Sequence, residues 1–116
     1  MAKRYPIDLK LSGTVAAAGT LTLKSDSFKP GGLLCIQRVS CRDTVDSSVT
    51  YHVSLERSGQ QLYLETLIST VASQVVAMKE KVYAPSDYGV TVEVTGATAA
   101  DIIEVGIFGY WTDFPG

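Results

Sequence analysis

Histidine occurs once in this chain, at position 52, and tryptophan once, at position 111. One histidine excludes a His-rich metal centre, and the two cysteines, Cys35 and Cys41, have no C-x-x-C spacing that would make a zinc or redox pair. In one extended strand those thiols lie about 20 Å apart, beyond disulfide reach unless the strand is broken. They are therefore expected to be two buried, inert thiols suited to a reducing cytosol. No run approaches the ~18 apolar residues of a membrane-spanning helix. The opening "MAKRYPIDLK" has no apolar segment of the secretory kind, so synthesis in the cytoplasm is expected. A large charge of one sign is also lacking. The net charge of −2 argues against a nucleic-acid binder held by phosphate contacts.

What is present is β-forming material. The 116 residues suffice for one domain, and 46% apolar against 19% charged residues is the composition of an ordered globular chain. Thr, Val, Ser and Gly recur, while Leu, Glu, Lys and Gln nowhere cluster as in a surface helix. "YPIDLKLS" (5–12) alternates Ile7, Leu9 and Leu11 with Asp8, Lys10 and Ser12, and "TLTLKS" (20–25) alternates again. "KPGG" (29–32) is a turn, after which "LLCIQRVSC" is predicted to put Leu33, Cys35, Val39 and Cys41 on one face. "VTYHVSLE" and "QLYLET" flank Ser58-Gly59 as a hairpin, with Tyr51, Val53, Leu55, Leu62 and Leu64 inward and Tyr63 outward. Residues 68–78 fit a helical template, yet their β-branching and missing cap favour a loop followed by a strand at about 75–84. "VTVEVTG" (90–96) and the stretch 101–112 complete about eight short strands joined by Gly/Pro/Ser turns. The pattern predicts an all-β, single-domain antiparallel β-sandwich of jelly-roll-like form over residues 1–116, with 1–5 as a flexible N-terminal arm.

Catalytic constellations are not evident. His52 has the parity opposite Tyr51 and Val53, so it is expected to face solvent or a subunit contact. Glu93 and Glu104 would oppose each other on the polar side of a last hairpin, a position that more commonly solubilises an edge than cleaves a glycoside. "GTVAAAGT" and "KPGG" lack P-loop and Rossmann spacing. Asp43, Asp46 and Ser47 could bind calcium in a loop, but they have no EF-hand register. No enzyme activity, cofactor or metal is therefore expected.

Charge and aromatic placement point instead to association. Residues 1–58 carry eight Lys/Arg against five Asp/Glu, whereas residues 59–116 carry two against seven. The two halves either form one mixed surface or give copies complementary faces. In "DIIEVGIFGY" (101–110), Ile103, Val105 and Ile107 share a core-facing parity with Trp111, which is also expected in the core. The other face carries Ile102, Phe108 and Tyr110. These three, with Tyr63, are the candidate subunit or capsid interface. An alternative use of Tyr63, Tyr83, Tyr88 and Tyr110 is stacking on sugars, which would make a carbohydrate- or receptor-binding module.

"VYAPSDYGVTVEVTGATAADIIEVGIFGYW" resembles the closing strands of small β-sandwich virion proteins of tailed bacteriophages. The shared features are the Pro85–Gly89 turn, the "TVEVTGAT" strand, Asp101 opening the last strand and Gly109-Tyr110 near its end, together with the upstream "SGQQLYLE" hairpin. The likeness covers residues 50–112 and rests on turn and strand grammar. Where many such proteins have Gly before the Asp, this chain has Ala100. The resemblance implies a non-enzymatic capsid decoration, head-completion or tail-associated protein located in the virion. It would act as a trimer or other symmetric ring, bound to virion proteins such as the major capsid protein, without specific nucleic acid or membrane.

Overall fold

The alternating segments become nine antiparallel strands among the described residues of a computed structural model, which are 4–17, 19–26, 28, 31–46, 48–78 and 80–113. They are β1 (Arg4–Thr14), β2 (Leu21–Lys24), β3 (Gly32–Asp43), β4 (Thr50–Arg57), β5 (Gln60–Ile68), β6 (Val76–Met78), β7 (Val82–Pro85), β8 (Gly89–Thr95) and β9 (Ile102–Asp113). One sheet has the order β1-β9-β3, with β6 and β7 pairing in succession along the free edge of β3; the other has the order β2-β8-β4-β5. Counting β6 and β7 as one interrupted strand gives four positions per sheet. Successive strands then cross between the sheets, apart from the β4–β5 hairpin, which is the connectivity of a jelly roll. The described residues of the loops 15–20, 44–49, 69–75 and 96–101 meet at one end, joined by backbone bonds such as Val15 N–H to Asp101 O (2.8 Å) and Ser48 N–H to Ser69 O (2.9 Å).

Period-two alternation explains the core. Tyr51, Val53 and Leu55 on β4 and Val90, Val92 and Val94 on β8 face Val39 and Cys41 on β3 and Ile103, Val105 and Ile107 on β9, all of them buried. Each such aliphatic contributes roughly 1.5–3 kcal/mol when removed from water. The Ser58-Gly59 turn joins β4 and β5 with both residues at positive φ, 49° and 83°. That is the primed turn whose twist matches the flanking strands.

Five expectations change. The register of β3 against β9 shifts between Ile36 and Arg38, so Gln37 is a bulge residue. Beyond it the parity flips: Val39 and Cys41 enter the core, whereas Leu33 and Cys35 turn to the outer face. Secondly, β8 and β9 belong to different sheets and form no hairpin. Thirdly, Leu62 pairs with inward-facing Leu55 yet is half exposed, because β5 is an edge strand and Leu62 sits beside the turn. Fourthly, Arg4 and Tyr5 are strand residues opposite Thr112 and Trp111 rather than part of an arm; residues 1–3 lie outside the described residues. Finally, Trp111 is only partly buried and stacks on Tyr5 at the rim of the core. The 68–78 segment is a loop leading into β6, as its β-branching suggests.

Candidate interaction face

The outer surface of the β1-β9-β3 sheet is built by the even-numbered residues of β9. Phe108 stands opposite Asp8 on β1 and Arg38 on β3; Tyr110 stands opposite Pro6 and Cys35. Cys35 in turn pairs with Tyr83 on β7, so a row of Tyr110, Cys35 and Tyr83 runs across three strands. The Cys35 thiol points away from the core and is nevertheless fully buried, whereas Tyr83 is 59% exposed. Hydrogen bonding to that thiol, together with burial, holds the Tyr110 phenol above its ordinary pKa. The Arg4 guanidinium lies over the Tyr110 ring, 4.5 Å from its centroid, a cation–π contact between the first and last strands.

Phe108 is half-buried by the chain's own backbone. A Cβ at Gly106 would lie 2.9 Å from Phe108 Cε2 and 2.8 Å from Ser40 Oγ, so the ring needs a bare backbone beneath it. A shallow groove of about 350 Å³ opens beside this ring, bounded by Lys10, Ser40, Arg42, Val75 and Glu104. Arg42 lines it, reaching Glu104 at 3.6 Å and donating to Ser73 Oγ at 3.2 Å.

The predicted site residues separate. Phe108 and Tyr110 are two residues apart on one face, and Tyr83, Cys35 and Arg4 join them. Ile102 shares the face and is 51% exposed, but it lies at the far end of β9, about 27 Å from Tyr110 at strand rise. Tyr63 is on β5 in the other sheet, exposed, with its hydroxyl 2.6 Å from Thr66 Oγ1. Tyr88 is not an exposed platform: it is buried beneath the Arg57 guanidinium, 4.7 Å from its ring centroid. His52, expected to face outward, is partly buried on the outer side of its sheet, 3.1 Å from Thr66 Oγ1. Glu93 and Glu104 belong to different sheets, each on its outer side, so no carboxylate pair forms between them. The grouping of Tyr83 and Cys35 with Tyr110 was hidden by the bulge at Gln37.

Charge divides between the two outer faces. Arg4, Lys10, Arg38 and Arg42 stand against Asp8 and Glu104 on the five-stranded side. On the four-stranded side Lys24 stands against Glu56 and Glu93. The Lys24 ammonium, 3.1 Å from Glu56, and the Thr91 hydroxyl together hold the Glu56 carboxyl below its ordinary pKa. In the core, burial pushes the Cys41 thiol up to about 12, so it stays protonated and unreactive.

No protein-family model matches the chain, and no curated protein matches its sequence. Among solved structures it is similar to one described as the infectious bursal disease virus Gx strain, with a TM-score of 0.47, 13% identity, and coverage of 97% of this chain and 31% of that one. It is also similar to one of the Gt strain of the same virus, with a TM-score of 0.44, 14% identity, and coverage of 96% and 32%. The chain thus spans about a third of the length of either match.

Proposed function

We propose that this chain is a non-enzymatic virion structural protein of a tailed bacteriophage, which self-associates and docks on the capsid or the head–tail region. The observation that carries the reading is the Phe108–Tyr110–Tyr83 face, a set of half-open rings bordered by arginines on the outside of a finished sandwich. Aromatic and arginine side chains on a flat surface are the composition of interface centres. The jelly-roll connectivity and the phage-like closing strands at residues 82–111 support the same reading.

The opposite signs of the two outer faces favour a heterologous contact, in which the cationic face of one copy meets the acidic face of the next. Such a contact makes a ring where its rotation closes, and a ring is what a symmetric virion protein needs. The test is multi-angle light scattering of the wild type and of Phe108→Asp over a concentration series, with sedimentation alongside purified particles. A concentration-dependent oligomer that is weakened at least tenfold in a still-folded Phe108→Asp variant is expected. A wild-type monomer at all concentrations that also fails to bind particles would exclude the proposal.

A further inference from the structure

Three carboxylates meet where the loops 44–49 and 96–101 close over one end of the sandwich. Asp43 ends β3, Asp46 follows in its loop, and Asp101 immediately precedes β9. One oxygen from each lies within 4.8 Å of the others. Backbone N–H groups also bond these carboxylates. Asp43 Oδ1 receives Val45 and Asp46 at 2.8 and 3.0 Å, while Asp46 Oδ2 and Asp101 Oδ2 both receive Thr98, at 3.0 and 3.3 Å. These bonds hold the carboxylates in place, and of the Asp43 oxygens they engage only Oδ1.

Asp43 and Asp101 are 1% and 8% exposed, and Asp43 Oδ2 is buried without a hydrogen-bond partner. A second, independent group points the same way. Tyr51, fully buried at the start of β4 in the opposite sheet, has a hydroxyl close to Asp43 and Asp101 that makes no hydrogen bond of good geometry. An unpaired buried carboxylate oxygen and an unpaired buried phenol beside it are each costly unless something between them takes up their polarity.

We propose that Asp43, Asp46 and Asp101 form a binding site for a calcium-class divalent cation, with the Tyr51 hydroxyl facing the ion's water shell. All the donors are oxygens, which suits a hard cation of flexible coordination rather than zinc. Neither His52, which lies on the outer side of the β2-β8-β4-β5 sheet, nor the protonated Cys41 thiol supplies a softer ligand. The ion would clamp the β3–β4 loop to the β8–β9 connection, two segments more than fifty residues apart that are otherwise linked by single hydrogen bonds such as Asp46 to Thr98.

Terbium titration of the intact protein tests the site, because Tyr51 is placed to sensitise the emission of an ion held by these carboxylates. Saturable emission at one ion per chain is expected, displaced by Ca²⁺, with a melting temperature that rises as Ca²⁺ is added and falls in chelator. Asp46→Asn, at the least buried of the three, should weaken binding at least tenfold while the fold is kept. Tyr51→Phe should bind the ion with most of its emission lost. Non-saturable emission, or Asp46→Asn binding that is unchanged, would overturn the proposal.

Discussion

Tyr5 stacks on Trp111 with ring centroids 4.1 Å apart and planes inclined by 15°, joining the first strand of the chain to the last. The two are direct cross-strand partners on the inner side of the β1–β9 pair. The stack closes the sandwich rim where β1 is an edge, next to the crevice lined by Ile7, Leu9 and Phe28. Trp111→Ala should therefore lower stability by about 2–4 kcal/mol, a value below that of a fully buried aromatic, measured by urea unfolding. Tyr5→Ala in the same background should then cost little more, since its partner is already gone.

Gln37 offers a sharper test of register. It is the extra residue opposite β9, and the bulge it forms is why Cys35 faces outward and Cys41 inward although they are six apart. Deleting Gln37 would leave Ile36 and Arg38 as successive partners of Gly109 and Phe108, a regular ladder in which Leu34, Ile36, Val39 and Cys41 all keep the inward face. Circular dichroism should therefore report a deletion variant that keeps the β fold, and Gln37→Ala should unfold within about 0.5 kcal/mol of wild type. A deletion variant that does not fold would refute this reading of the register.

Ala100 has φ of 75°, in the left-handed region where a Cβ is unfavourable. Glycine would adopt this conformation without that cost. Ala100→Gly should stabilise the chain by up to about 1 kcal/mol, the relief of strain being partly offset by greater freedom of the unfolded chain. A urea midpoint below wild type would refute this.

The Asp46–Asp101 pair sets a pH dependence in chelator-containing buffer. Asp46, Asp43 and burial hold Asp101 at about 6, above its unfolded value, so its contribution is present in acid and is lost as pH rises through about 6. Asp46 is shifted the other way, chiefly by its hydrogen bond to Asp101, and its contribution is lost as pH falls through its lowered pKa. Thermal melts should therefore show this end of the sandwich most stable between those limits. Asp101→Asn should remove the decline near pH 6.

Local periodicity made much of the fold legible. The primed turn at Ser58-Gly59, the inward Val90, Val92 and Val94, and the Ile103–Val105–Ile107 face all follow from alternation and turn chemistry within a few residues. The loop at 69–75 followed from β-branching without a cap. Features that depend on partners distant in the chain were not legible. Nothing near Gln37 marks it as a bulge, because the irregularity exists only against β9. Glycine and polar residues near 96–101 suit a hairpin as well as a crossing between sheets, and only the packing of β8 against β2 and β4 decides between them.

The sequence by itself determined that the chain is an all-β sandwich, with the odd-numbered residues of 101–110 in its core and an apolar second face on that strand. Alternation is a property of one strand, so it can be read from one strand. Only the tertiary structure decided what lies on that second face: Gly106 bears the Phe108 ring, Arg4 caps Tyr110, Tyr83 and Cys35 join them, and Tyr63 stands on the opposite side of the molecule. It also brought Asp101 to Asp43 and Asp46. Each of these depends on which strands become neighbours, and that is set by the burial of the whole core.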